Sequence, residues 1–187
     1  MPLLWRIPDD YPQGRIGRYD RSRGPDRFAF MDGALLPEPL AQSPRALFDC
    51  REEELSRDDC IWTDARIPIV NERLKAFLSE RSLEQMQFVD IEIFVEGKNI
   101  GGYYIVNALK TAEIIDIDAS IYRCVPGSRE IMSFSVLRAK KGGMGALSVG
   151  RDRRYLAYLF VADDLASSIE AAGFRGAAMI EPSMIGS

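Results

Sequence analysis

The chain contains no histidine. That absence removes the Ser-His-Asp and Cys-His nucleophile systems, the His-Glu-x-x-His zinc sites and the His-bearing zinc fingers. An enzyme built from this sequence has to work with carboxylates, lysines, tyrosines or lone thiols. Cysteine is scarce. Cys50, Cys60 and Cys124 are an odd set at scattered spacings, which suits reduced thiols and not a disulfide framework. No apolar run reaches the roughly 18 residues that a membrane-spanning helix takes. Asp9 and Asp10 arrive before a signal-peptide core can form, so the expected location is the cytoplasm. Positive charge is also short: 24 Lys and Arg against 28 Asp and Glu give a net charge of −4. Nucleic-acid binding, which calls for a basic face, is not expected. An acidic surface aimed at a basic partner is permitted, since complementary charge speeds and directs encounter.

What is present is a segment written twice. Ile69-Val70-Asn71-Glu72-Arg73-Leu74-Lys75-Ala76-Phe77-Leu78 runs on to Gln87-Phe88-Val89. Phe160-Val161-Ala162-Asp163-Asp164-Leu165-Ala166-Ser167-Ser168-Ile169 runs on to Ala178-Met179-Ile180. Leu74 matches Leu165 and Leu78 matches Ile169. Each copy reads as a strand end, an amphipathic helix and a return into a strand. Asn71 is an N-cap by its chemistry, and Gly173 sits where a left-handed residue closes the second helix.

The predicted fold is α+β: two related strand–helix–strand lobes with mostly antiparallel sheet. The chain is expected to form a single unit over 1–187, with an N-terminal arm and hairpin over 1–60 and the core over 61–187; a chain of 187 residues buries enough surface to need no staples. Leu3, Trp5 and Ile7 predict a short strand. Asp32-Gly33 between apolar runs predicts a type I′ hairpin. Val89, Ile91, Ile93 and Val95 alternate as one half-buried strand, broken at Gly101-Gly102. Tyr103–Val106 reads as a strand buried on both faces. Ile114–Asp118, Ile121–Val125, Ile131–Leu137, Tyr155–Val161 and Gly176–Ile180 read as further strands, with a Gly-rich loop over Lys140–Gly150.

Candidate sites are few. From Asp49 to Asp59 six acids meet two arginines, Arg51 and Arg57, without the apolar stripe of a helix. The functional reading is a docking face for a basic protein, carried by Glu52, Glu53, Glu54, Asp58 and Asp59; the plain reading is a solvated surface. Asp116 and Asp118, near Glu113, could hold Mg²⁺ or Ca²⁺, although Asp-Ile-Asp at a strand exit also ends strands and caps turns. Lys140-Lys141-Gly142-Gly143-Met144-Gly145 could cradle a phosphate, but its spacing fits neither nucleotide-binding Gly motif. Arg151, Arg153 and Arg154 are interrupted by Asp152 and read as solvated charges. Tyr103 and Tyr104 read as core, and nothing marks the cysteines as activated.

Three blocks carry a family resemblance. They are Ile67-Pro68-Ile69-Val70-Asn71-Glu72-Arg73-Leu74 with Gln87-Phe88; Gly102-Tyr103-Tyr104-Ile105-Val106-Asn107-Ala108-Leu109 leading to Ile115-Asp116-Ile117-Asp118-Ala119-Ser120; and Leu159-Phe160-Val161 with Leu165, Ile169, Ala172-Gly173-Phe174 and Gly176. Over roughly residues 60–180 the chain resembles immunity family eleven of bacterial polymorphic-toxin systems. In that family the helices commonly open with Ser before an acidic residue. Here Asn71 keeps the cap chemistry and Ala162 does not, so Asp163 is expected to cap one residue later.

The resemblance implies a non-enzymatic antitoxin that binds a cognate secreted toxin, often one delivered by type VI secretion, in the producer's cytoplasm. A basic nuclease is the favoured toxin for an acidic chain. No cofactor, metal, nucleic acid or membrane partner is expected. The alternative from the residues alone is a metal- or nucleotide-binding enzyme using Asp116, Asp118 and the Lys140–Gly145 loop.

Overall fold

The computed structural model describes residues 1–184. In chain order the elements are β1 (Leu3–Arg6), β2 (Arg18–Tyr19), β3 (Arg45–Phe48), α1 (Glu52–Leu55), β4 (Cys60–Ile61), β5 (Ile69–Asn71), α2 (Glu72–Ser82), β6 (Met86–Asp90), β7 (Glu92–Val95), β8 (Lys98–Ile100) and β9 (Tyr103–Ala108). Then come β10 (Thr111–Ala112), β11 (Ile121–Cys124), β12 (Ile131–Val136), β13 (Val149–Asp152), β14 (Leu159–Val161), α3 (Asp163–Ala171) and β15 (Ala178–Ile180). The strands form sheets of order β10-β13-β14-β1-β15, β4-β5-β9-β6 and β2-β3-β7-β8, plus a β11-β12 ribbon. Most pairings are antiparallel; β3 with β7 and β10 with β13 are parallel. The fold is α+β and dominated by sheet.

The alternation of side chains along each strand stacks these sheets into layers. In the β4-β5-β9-β6 sheet, Ile61, Ile69, Val89, Tyr103 and Ile105 point into a core shared with Ala46, Phe48, Ile93 and Val95 of the β2-β3-β7-β8 sheet. The opposite face carries Cys60, Val70, Met86, Val106 and Ala108 into a second core. That core also takes Trp5, Val149, Leu159 and Val161 from the β10-β13-β14-β1-β15 sheet. Leu4 and Phe160, one residue out of phase, face a third core with Ile114, Phe134, Leu137 and Met144, over which the ribbon lies.

The written-twice segment is a repeated topology. β5 and β6 both pair antiparallel with β9, which lies between them; β14 and β15 both pair antiparallel with β1, which lies between them. Each copy is therefore a strand–helix–strand unit split by a third strand. The Asn71 carboxamide oxygen accepts the Leu74 N–H at 3.0 Å, as the cap chemistry requires. Gly173 takes φ +68 at the end of α3, the left-handed closure expected there. The division into two lobes is not confirmed. Leu74, Leu78, Leu165 and Ile169 are all buried in the second core, so both helices pack into one apolar layer between two sheets.

Several local expectations change. Asp32-Gly33 makes no hairpin: Arg27–Phe30 is a 3-10 turn capped by Asp26, and β-strands are absent on either side. The chain beyond it is held by side-chain amides. Asn107 Nδ2 donates to the Ala34 carbonyl, and Gln87 brackets the Leu36 backbone from both sides. The expected Val89–Val95 strand is β6 and β7, which belong to different sheets. Ile114–Asp118 contributes one bridge, Ile115 to Ala139, and no strand. Tyr155–Tyr158 is a turn that precedes β14. Asp163 does not cap α3: Ala162 stands at the N-cap without a side-chain bond. Asp163 and Asp164 instead lie in the first turn, where the helix dipole favours anions.

Candidate functional site

The acidic stretch divides into two kinds of carboxylate. α1 is a single turn anchored by Leu55, which is fully buried in the first core. Its exposed side presents Glu52 and Glu53. Glu54 turns back on its own chain: one carboxylate oxygen accepts the Arg51 N–H at 3.0 Å, and the other lies 3.5 Å from the Arg51 guanidinium. That backbone bond, first, and the Arg51 charge hold the Glu54 carboxyl below its ordinary range.

Asp58 and Asp59 are not surface groups. They are only 4% and 6% exposed. Asp58 is ion-paired with Arg15, and burial nevertheless pushes its carboxyl up, because desolvation outweighs the guanidinium. Asp59 accepts from Arg73 through both oxygens, from the Asn71 carboxamide, and from the Arg175 N–H. Both acids are committed within the fold, so they are withdrawn from the predicted docking face. Their partners are remote in sequence, and nothing in the local pattern Arg57-Asp58-Asp59-Cys60 distinguishes a buried aspartate from a solvated one.

Glu52 and Glu53 are joined by a carboxylate that the sequence reading missed. Glu96 occupies the tight β7–β8 turn with φ +51, followed by Gly97 at φ +78. Two successive positive values are the I′ geometry of a hairpin. The usual signal was blurred because Glu stands where Asn or Asp would be expected. Glu52, Glu53 and Glu96 line an open groove of about 440 Å³ with Arg51 and Ser56. All five are exposed. Its lining holds no nucleophile poised by a base, and among the described residues no group of three or more His, Cys, Asp or Glu side chains is arranged to hold a metal ion. Three exposed carboxylates gathered in one groove attract cationic side chains.

Asp118, Arg153 and Arg154 are exposed, and several of the other candidates serve the fold. The Asp116 carboxylate accepts the Ala119 N–H at 3.2 Å, which caps a turn. The Gly-rich loop folds against this segment, with Lys140 N–H bonded to the Ile114 carbonyl and Lys140 Nζ 3.4 Å from Glu113. Its Gly143 and Gly145 N–H groups are used within its own turns, and Met144 is buried beneath it. A phosphate cradle would need those donors free.

Arg151 and Asp152 are buried, not solvated. Asp152 accepts four backbone N–H groups, from Ile114, Ile115, Arg154 and Tyr155. Arg151 donates to the Leu156 and Phe30 carbonyls, and desolvation lowers its pKa to about 10. Tyr103 lies in the first core, while Tyr104 is half-buried under Lys75, with Glu72 first among the causes that push its phenol up to about 12. Burial pushes the Cys50 and Cys60 thiols up, away from reactivity, and Cys124 is exposed.

The chain matches a protein-family model. The family model described as Immunity protein family (Imm11) matches residues 11–181. The match begins well before residue 60, so α1, the groove and the arm from residue 11 onward are part of it. No curated protein matches the chain.

Proposed function

The chain belongs to the Imm11 immunity protein family, and from that premise we propose that it neutralises a cognate toxin by stoichiometric binding and not by catalysis. The observation that carries the reading is the family match across residues 11–181. The acidic groove of Glu52, Glu53 and Glu96 supports it, because three exposed carboxylates on a chain of net charge −4 suit a basic partner. A toxin that acts on nucleic acid must hold phosphates and so carries a basic face. A secreted nuclease is accordingly the toxin class we favour, delivered by a contact-dependent route such as type VI secretion. The site of action is the producing cell's cytoplasm, a placement in keeping with three free cysteines.

Co-expression tests the reading directly. The cognate toxin is induced with and without the immunity protein. Survival of the protected cells and co-purification of the two proteins are expected. Killing despite the immunity protein, with no complex on purification, would overturn it.

A further inference from the structure

α1 is one turn long, yet it separates two surfaces of opposite sign. On one side lies the groove of Glu52, Glu53 and Glu96. On the other lies a cleft of about 420 Å³ lined by Arg15, Arg57 and Arg175, together with Glu54, Cys50 and the turn containing Pro12 and Gly14. Three distant parts of the chain deliver the three guanidinium groups. Arg15 ends the Gln13–Arg15 turn and is fixed there by Asp58, by the Glu54 carbonyl at 3.3 Å and by the face of Tyr11. Arg57 follows α1. Arg175 stands between α3 and β15, where its backbone bonds to Asp59 and Cys60.

The charges in this cleft are unevenly matched. Asp58 is buried and paired with Arg15, and Glu54 is held by Arg51. Arg57 and Arg175 are exposed and belong to no ion pair among the described residues. Two unpaired guanidinium forks beside a third that is pinned are suited to an oxyanion, since the fork fits a carboxylate or phosphate through paired N–H donors. The surrounding field selects between these. The chain is net acidic, and the acidic groove lies across α1. A phosphate monoester carries roughly twice the charge of a carboxylate at neutral pH, and a nucleic-acid strand repeats a single negative charge at every phosphate along its length. Such ligands are repelled most by an acidic body, whereas a single carboxylate carried on a basic protein is drawn in with its carrier.

We propose that the Arg15–Arg57–Arg175 cleft receives an aspartate or glutamate side chain of the toxin while basic residues of the same toxin face Glu52, Glu53 and Glu96. The inference rests on the toxin-binding reading above. Its consequence is orientation. A site with an acidic half and a basic half accepts one rotation of the partner and places like charges together in the reversed one, which disfavours partners of the wrong pattern.

The test compares binding of the purified toxin to the wild type, to Arg57→Glu/Arg175→Glu, to Arg57→Gln/Arg175→Gln, and to Arg129→Glu on the loop between β11 and β12. The two cleft arginines are exposed, so far-UV circular dichroism and urea midpoints should match the wild type in every variant. Reversal should weaken binding by about 100-fold, neutralisation by about 10-fold, and Arg129→Glu by less than about threefold. Changing one toxin Asp or Glu to Arg should restore affinity for the reversed variant.

Wild-type affinity in Arg57→Glu/Arg175→Glu would overturn the cleft and leave the toxin-binding reading standing. Failure of the wild type itself to bind would overturn that reading. A thermal-shift titration of the protein alone with inorganic phosphate and with acetate supplies the last arm. Saturable stabilisation by phosphate that disappears in the reversed variant would assign the cleft to a free anion and overturn the tethered carboxylate.

Discussion

Asp59 and Arg73 tie the two repeated units together. The Arg73 Nη1 group donates to both Asp59 oxygens at 3.0 Å, and Nη2 continues to the Ala172 carbonyl at the end of α3, also at 3.0 Å. The guanidinium lies over the Phe174 ring, 4.3 Å from its centre. The Arg73 guanidinium thus fastens the first turn of α2 directly to the end of α3, while the Asp59 carboxylate joins Arg73 to the Arg175 N–H beyond it. Asp59→Ala leaves the Arg175 N–H without its acceptor and frees Arg73. Arg73 is more than half exposed, so screening reduces its share of the loss. The expected destabilisation is about 2–3 kcal/mol, read from urea denaturation, with the toxin association rate of the folded variant unchanged. A stable variant that associates slowly would put Asp59 back in the interface.

Gly176 closes the same junction from the other side. It holds φ +84, and its carbonyl accepts the Trp62 indole N–H at 2.6 Å. A Cβ there would stand 2.0 Å from the Cys60 carbonyl oxygen. Both the backbone conformation and the space demand glycine. Gly176→Ala should therefore cost about 3 kcal/mol or more, lowering the melting temperature by roughly 6–12 °C. Gly101, whose Cβ position is open and whose φ is ordinary, supplies the control: Gly101→Ala should move stability by less than about 0.5 kcal/mol.

These two residues show where sequence reading succeeds and where it stops. Gly176 stood within a recognisable block, and the helix around Leu165 and Ile169 was legible from its spacing and its closing Gly173. β1, β9, β11 and β12 followed from apolar runs or alternation in the same way. Asp59 was misread because burial of a charge depends on Arg73 and Arg175, which the fold supplies from elsewhere. Asp32-Gly33 was misread for a related reason. A turn signal makes a hairpin only if its flanks pair, and here Gln87 and Asn107 hold the Ala34–Leu36 backbone instead. The split of Val89–Val95 into two sheets was hidden because alternation continues unbroken through Ile91, so the period reports which face is buried and not which sheet owns it. Glu96 entered the groove through a tight turn lacking the usual Asn or Asp, and no local rule would have placed it beside Glu52.

The shared second core gives a prediction about cooperativity. Leu74 and Leu165 occupy matching places in the two units and are buried in the same apolar layer. Truncation of either to Ala should cost about 2–5 kcal/mol. If the units were separate lobes, Leu74→Ala would destabilise one and leave the other to melt at its own temperature. With one layer between them, both variants should unfold in a single transition, followed identically by far-UV circular dichroism and by fluorescence of Trp5 and Trp62, which lie in that layer. A second transition at the wild-type midpoint would restore the two-lobe description.

The groove makes a kinetic prediction that separates it from every structural acid in the chain. Glu52, Glu53 and Glu96 are exposed and belong to no ion pair among the described residues. Their contribution to a complex would come mainly through the field that guides the toxin in, which acts on the association rate and fades as salt shortens the Debye length. Glu52→Lys/Glu53→Lys/Glu96→Lys should therefore slow association by about tenfold or more at low salt, flatten its dependence on ionic strength, and leave the urea midpoint within about 0.5 kcal/mol of wild type. Stopped-flow mixing with the toxin across a salt series reads all but the last directly. Because Glu54 is turned back on Arg51, Glu54→Gln should change the association rate less than Glu53→Gln does. An association rate and salt slope unaltered by the triple reversal would remove the groove from the encounter surface, since no screening argument can hide the exchange of three negative charges for three positive ones at an interface.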